Sequence, residues 1–237
     1  MHKIDIPQHI LARAMRMRGR DHIFERIDPA RTAHLVVDLQ NGFMAEGAPH
    51  EVATAREIVP NVNRICAALR DAGGTNVFLR VTHDEAEAQP WTTRYTEYLS
   101  ADRRAAHKAA FTRGAQYWQL WPLLEVQPSD LIVEKTRFSA FVPGTCGLHE
   151  TLQARGVDTL IVTGTLTNVC CESTARDAMQ RNYRVIFVAD GNAALTDAEH
   201  NATLCNMATL FADVMTTEHV LAVIDSGTLP RKIRGAA

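Results

Sequence analysis

The chain is expected to fold as an α/β protein, a three-layer α/β/α sandwich around a six-stranded, mostly parallel, Rossmann-like sheet. Short runs of β-branched and aliphatic residues recur along its 237 residues, each long enough for a strand and too short for a helix. Stretches with apolar residues at helical spacing lie between these runs. The runs are apolar nearly throughout instead of alternating, as strands are when helices cover both faces of a sheet.

The elements follow in chain order. "AHLVVDL" (33 to 39) is the first strand. Residues 51 to 72 carry Val59, Val62, Ile65, Ala68 and Leu69 at helical spacing and stop before the Gly73–Gly74 pair, a C-terminal signal. "TNVFLRV" (75 to 81) and "DLIVEK" (130 to 135) are the second and third strands. "CGLHETLQARG" repeats the helix design with Gly156 as terminator, and "DTLIVTG" (158 to 164) follows as the fourth strand. "RVIFVAD" (184 to 190) is the fifth, "DAEHNATLCNMATLFA" (197 to 212) a helix capped by Thr196, and "DVMTT" (213 to 217) the sixth strand. Right-handed crossovers connect strands of this kind.

Two stretches fall outside the rhythm. Residues 1 to 30 form a helical extension whose apolar positions (Ile10, Leu11, Ala14, Met15) suit packing on the domain or on a second subunit. Residues 31 to 237 are expected to be a single domain, interrupted by an excursion over 82 to 129 that holds Trp91, Tyr95, Tyr98, Tyr117, Trp118 and Trp121. An insertion after a strand's carboxyl end builds lids and pocket walls in α/β proteins, and aromatics equally serve to anchor a loop to the core.

Composition narrows the partners. With 46% hydrophobic residues, a formal charge of -2 and scattered basic side chains, nothing favours nucleic acid or an anionic membrane, and a small molecule is the expected partner. No apolar stretch approaches the roughly 20 residues needed to cross a bilayer, and the first residues lack the apolar centre of a signal peptide. A cytoplasmic location is expected. The five cysteines (66, 146, 170, 171 and 205) are odd in number and form no C-x-x-C pair, so they are expected to be reduced thiols.

In an open parallel sheet the ligand crevice lies at the carboxyl edge, so the polar residues that end the strands matter. Asp38 ends the first strand, followed by Gln40 and Asn41; Glu134 and Lys135 end the third; and after Gly164 the turn "TLTNV" delivers Cys170 to the start of a helix. A free thiol, with a pKa of roughly 8.5, is mostly protonated at neutral pH. A helix N-terminus and a nearby lysine both favour the thiolate. An aspartate kept ionised by that lysine can accept the thiol proton and later pass it to a leaving nitrogen. Asp38, Lys135 and Cys170 thus suffice for acyl transfer. Each also has a plainer use: Cys170 as a small buried hydrophobe, Asp38 capping a turn, Lys135 solvated. Cys171, rotated about 100° around the helix, suits core or interface filling. Glu172, Arg176 and Asp177 are spaced for ion pairs along one helix.

Three motifs, "HLVVDLQNGF" around Asp38, "VEKTRFSAF" around Lys135 and "VTGTLTNVCCESTARDAMQRNYRVIFVAD" around Cys170, together resemble the isochorismatase-like cysteine hydrolases over residues 31 to 217. The resemblance implies a catalytic triad of Asp38, Lys135 and Cys170. It also implies a non-proline cis peptide at Thr165–Leu166 and an oxyanion hole made by the Leu166 and Cys170 amides. Family members form dimers and tetramers, which implies a homodimer or homotetramer here.

Within that family, isochorismatases cleave a vinyl ether and lack the nucleophilic cysteine, so Cys170 points to the thiol-dependent amidohydrolases. The expected reaction is cleavage of the C–N bond of a small amide, carbamoyl or ureido compound through a thioester, with no cofactor. Nicotinamidases of the family carry an Asp-x-His metal motif after the second strand. Here "RVTHDEAEA" has Val81 two residues before His83, so no metal is expected and His83 reads as a loop or pocket residue. Asn41, Phe43, Phe138 and Thr167 are expected to flank the nucleophile, joined by Trp91 or Tyr95 from the excursion; Arg137 suits either a substrate carboxylate or a surface charge. The alternatives are vinyl-ether hydrolysis and a non-catalytic protein of the same fold. A dinucleotide-dependent oxidoreductase lacks its fingerprint, since "GTCGLHE" is not G-x-G-x-x-G.

Overall fold

A computed structural model describes residues 1–86 and 89–226. Six strands, β1 (Thr32–Val37), β2 (Thr75–Val81), β3 (Leu131–Lys135), β4 (Thr159–Thr165), β5 (Arg184–Ala193) and β6 (Asp213–Met215), form one sheet in the order β3-β2-β1-β4-β5-β6. Every pairing is parallel. The order reverses between β1 and β4, so the carboxyl ends of these central strands open the crevice where such sheets bind ligands.

The helices are α1 (Gln8–Arg18), α2 (Asn41–Met44), α3 (Val59–Asp71), α4 (Thr92–Thr96), α5 (Ala101–Phe111), α6 (Leu148–Ala154), α7 (Glu172–Gln180), α8 (Asp197–Asn206) and α9 (Thr217–Ser226). Successive strand residues point to opposite faces. Leu35, Val37, Leu79 and Val162 therefore pack with Leu148 and Leu152 of α6, Ala175 and Ala178 of α7 and Leu204 of α8. Val36 and Phe78 pack with Val62 and Cys66 of α3 and Phe111 of α5, while Ile161 and Ile186 meet Ile65 and Leu69 of α3 and Val220 and Val223 of α9. Each such aliphatic or phenyl side chain contributes about 1.5–3 kcal/mol when fully buried.

Some element limits differ from those expected of the sequence. The stretch 51–72 is not one helix: Ala53–Ile58 is a 3-10 segment, and α3 begins at Val59. Pro60 lacks an N–H and presets its own φ, which suits the first turn of an α-helix and no later position. Thr196 caps α8 as expected, its hydroxyl accepting from Glu199 N at 3.2 Å, but the helix widens into a π segment over Met207–Phe211. β6 stops at Met215 because Thr217 opens α9, its N–H and hydroxyl both donating to Asp190 Oδ1 at 2.7 and 2.8 Å.

The excursion folds into α4, α5 and a 3-10 turn over Gln116–Trp118. Trp118 is an anchor: its Nε1 donates to Thr82 Oγ1 at 2.9 Å and the Arg80 guanidinium lies 3.7 Å over its ring. Gln40 ties the excursion to the sheet by donating to Val81 O and Trp118 O at 3.1 and 2.9 Å and accepting from Val81 N at 2.8 Å. The N-terminal extension packs on the domain itself, with Ala14 buried, Arg13 donating to Thr209 Oγ1 at 3.4 Å and Arg18 to Ala212 O at 2.9 Å. Among the described residues no helix is long and apolar enough to cross a membrane.

Candidate active site

Asp38 is the first residue past β1 and takes a left-handed backbone with φ 51, which Asp tolerates better than most residues. Its N–H donates to Leu79 O at 3.1 Å and its carbonyl accepts from Gln40 N at 2.7 Å, which fixes the turn. Lys135 closes β3, in register with Val81 of β2, two strand spacings or roughly 10 Å from β1. Its long side chain spans that gap: Nζ donates to Asp38 Oδ2 at 2.7 Å and to Arg137 O at 3.0 Å. Glu134, one residue earlier, points to the other face and pairs with Arg80 and Arg113.

The sulfur arrives from β4. Gly164 has φ +125, and a Cβ there would lie 2.1 Å from Val37 O, so only glycine lets β4 pass β1 this closely. The Thr165–Leu166 peptide bond is cis. Thr167–Cys171 then forms a π-turn leading into α7, with Cys171 N donating to Leu166 O at 3.1 Å. The Cys170 thiol thus comes to the Asp38–Lys135 pair, close enough to act on Asp38 through a hydrogen bond and on Lys135 through its charge. Both cysteines are buried, Cys170 at 4% exposure and Cys171 at 0%, and it is Cys170 that meets the pair through a hydrogen bond.

Burial dominates the electrostatics. It raises the Asp38 pKa above the usual carboxylate value, against the charge and hydrogen bond of Lys135 and the hydrogen bond of Cys170. Burial would lower Lys135, but the charges of Asp38 and Cys170 outweigh it and raise the ammonium above its ordinary value. The Cys170 thiol is pushed well up by burial, with the Asp38 charge adding to the effect and Lys135 opposing it. The lysine favours the thiolate, as its charge must, but burial outweighs it. In a dry site the sulfur stays protonated until a base removes its proton.

The other residues expected at the site divide into three groups. Trp91, Phe138 and Arg137 meet: Trp91 and Phe138 pack edge to face at 4.8 Å, and the Arg137 guanidinium lies 5.1 Å from the Trp91 ring centre. With Ser139 and Ser173 they line a groove of about 460 Å³. Arg137 also donates to Thr136 O at 3.1 Å and to Gln89 O, so it latches the excursion to the end of β3. Asn41 and Phe43 lie apart from this group. Asn41 donates to Gln116 O at 3.0 Å, with its Oδ1 buried and unpaired, and Phe43 stacks on Phe111 at 4.9 Å in the core. Thr167 is fully buried and its hydroxyl lies 2.9 Å from His200 Nδ1, so it supports the turn from behind instead of facing a substrate.

Two groups of histidines escaped the sequence reading. His50 and His107 pack at 5.2 Å, and His107 lies against Tyr95 and Phe111, next to Phe43. Burial, then the neighbouring His50 and Arg94, pull His107 down to about 3, and burial lowers His50 as well. His83 joins this group through the Tyr95 hydroxyl at 3.3 Å. The second group, His2 and His200, lies behind the nucleophile turn. No spacing in the chain marks either group. Among the described residues no three His, Cys, Asp or Glu side chains gather as a metal site would require.

Known proteins resemble this chain in sequence and fold. The isochorismatase domain model matches residues 32–219. The ureidoacrylate amidohydrolase RutB of Pseudomonas savastanoi pv. phaseolicola is 30% identical over 221 residues, 88% of either chain. RutB of Methylobacterium radiotolerans is 33% identical over 213 residues, 83% of this chain and 82% of its own. The crystal structure of a cysteine hydrolase from Pseudomonas syringae pv. phaseolicola 1448A superposes with a TM-score of 0.77 at 31% identity, covering 85% of this chain and 96% of the other.

Proposed function

This chain belongs to the isochorismatase family, and we propose that it is a cysteine-dependent amidohydrolase that cleaves the C–N bond of a small ureido or carbamoyl compound. The observation that carries the reading is the fully buried Asp38–Lys135 pair, 2.7 Å apart, beside the thiol of Cys170 at the carboxyl edge of the sheet. The similarity to ureidoacrylate amidohydrolases indicates the bond class.

The reaction runs in two halves. As Sγ of Cys170 attacks the carbonyl carbon, its proton passes to Asp38, whose raised pKa suits it to hold that proton. The oxyanion forms against the Leu166 and Cys170 amides. Collapse of the tetrahedral intermediate breaks the C–N bond; Asp38 returns the proton to the departing nitrogen, and ammonia or an amine leaves. The acyl group stays on sulfur, as a thioester from an amide or as a thiocarbamate from a ureide, whichever nitrogen has left. Water, giving a proton to Asp38, then attacks this carbonyl; the sulfur leaves and recovers the proton. Lys135 keeps its charge throughout and offsets the negative charge that moves between Asp38 and sulfur. No cofactor is needed. Trp91, Phe138 and Arg137 would bound the substrate.

We place the enzyme in the cytoplasm, consistent with five unpaired cysteines. It acts as a homodimer or homotetramer on a small molecule, with neither nucleic acid nor membrane as partner. Met17 and Leu210, exposed side chains lining one groove, suit a subunit contact.

A screen of small ureides, carbamoyl compounds and amides for ammonia or amine release tests the function, with Cys170→Ala as control. Turnover of a ureide or carbamoyl compound that disappears in the variant supports it. Turnover of none of them, or full activity of Cys170→Ala, contradicts it.

A further inference from the structure

The reaction above depends on where the turn 165–171 holds the sulfur and two amides, and that turn is braced from behind. Thr167, fully buried within it, has its hydroxyl 2.9 Å from His200 Nδ1 on α8. Burial lowers His200 to about 4, so its ring is neutral and carries one proton. Nδ1 is the ring nitrogen that meets the Thr167 hydroxyl, while Nε2 is buried and forms no full hydrogen bond, so the contact with Thr167 is what orients the ring.

One face of the His200 ring is covered by His2, with ring centres 4.4 Å apart and planes 18° from parallel. The His2 ring cannot turn without losing two hydrogen bonds. Ala194 N–H donates to its Nε2 at 2.9 Å, so its proton sits on Nδ1, which donates to Asp197 Oδ1 at 2.7 Å. Asp5 N–H donates to Asn201 Oδ1 and Asn201 Nδ2 to Lys3 O, both at 2.8 Å, laying the segment along α8. Ala194 follows the last residue of β5, and Ala193 O accepts from Thr165 Oγ1 at 3.2 Å, so the strap and the turn share the same sheet end.

We propose that residues 2–5 form a strap that positions the nucleophile turn: His2, stacked on His200, holds Thr167 and through it the Leu166–Cys170 backbone. His2 is a positioning residue, and its role rests on the amidohydrolase reading of the site. The strap lies outside residues 32–219, the span that the domain model matches. It acts by geometry, since a misplacement of the reacting groups on the order of 1 Å costs about a hundredfold in rate.

The test uses the full chain with His2→Ala, His2→Phe, His200→Ala and the His2→Ala/His200→Ala double variant. The ureide turned over fastest in the screen serves as substrate, and iodoacetamide labelling is resolved by peptide mass. His2→Ala is expected to lower kcat about tenfold, equivalent to about 1.4 kcal/mol, with KM within about twofold and the melting temperature within a few degrees. His2→Phe keeps a stacked ring and is expected to hold kcat within about threefold of the parent. The double variant is expected to lose no more than the worse single one. Labelling of Cys170 is expected to speed up severalfold in His2→Ala while that of Cys146 stays unchanged. Parental kcat and labelling rate in His2→Ala, a loss that appears in KM or tracks melting, a His2→Phe as slow as His2→Ala, or additive losses would overturn the proposal. If the parent turns over no ureide or carbamoyl compound, the amidohydrolase reading fails on its own, and the labelling comparison alone decides whether the strap holds the turn.

Discussion

Lys135 Nζ lies 2.7 Å from Asp38 Oδ2, and neither side chain has any solvent exposure. Removing two charges from water is costly, and their attraction repays this only when geometry and further hydrogen bonds are good. Here the lysine gains a second acceptor, Arg137 O at 3.0 Å, while Asp38 Oδ1 is left without a fully formed hydrogen bond. That oxygen is the natural receiver for the thiol proton.

Breaking the pair on one side therefore strands a buried charge. Lys135→Met is expected to destabilise the fold by about 3–5 kcal/mol, and the Asp38→Asn/Lys135→Met double variant to recover much of that loss. Urea unfolding of the parent, the two single variants Asp38→Asn and Lys135→Met, and the double variant measures it. Additive losses would mean that the two charges do not stabilise each other.

Asp38 must be a carboxylate to take the proton, and burial raises its pKa. Activity is present above that raised value and lost as pH falls through it. The acid limb of kcat/KM is thus expected above the ordinary aspartate value of about 3.9. In Lys135→Met, residual activity should show the limb displaced further upward, because the main opposing charge is gone. Asp38→Asn should cost about 10²–10⁴ in kcat, the usual range for a lost acid–base group. A limb at or below the ordinary value would remove Asp38 as the base.

The thiol should behave as a buried one. Cys170 labelling by iodoacetamide is expected to keep rising with pH past about 8.5, where an ordinary thiol levels off. The Asp38 charge raises the Cys170 pKa and Lys135 lowers it, so Asp38→Asn should speed labelling at neutral pH and Lys135→Met slow it. Fast labelling of the parent that levels off below neutral pH would instead indicate a standing thiolate.

Gly164→Ala is expected to be severe, at about 4 kcal/mol or more, because both the backbone angle and the Val37 carbonyl oppose a Cβ. Thermal melting of this variant beside Gly156→Ala, where nothing lies within 4 Å, separates the close approach from the cost of positive φ alone. Equal losses would contradict the close approach.

These residues also show what the sequence could convey. β1 reads as a strand because Leu35, Val36 and Val37 are apolar in succession and so on both faces, and Asp38 and Lys135 stand out as charges ending apolar runs. That they meet needs only the strand order and the reach of a lysine. Pro60 explains why α3 starts late, a local effect visible in advance but overridden by the helical spacing on either side. The π-turn at Cys170 and the direction of its pKa were not legible, since both depend on how tightly β4 passes β1 and how dry the crevice becomes. The contacts of Thr167 with His200 and of His200 with His2 span 33 and 198 positions, and no periodicity registers a pairing at such separations.

The most direct measurement is the mass of the protein quenched in acid during turnover of a ureido or carbamoyl substrate. An acyl adduct on the peptide bearing Cys170 and Cys171, placed on Cys170 by fragmentation and absent from Cys170→Ala, is the expected result. Steady turnover with unmodified Cys170, or an adduct carried by another residue, would contradict the account.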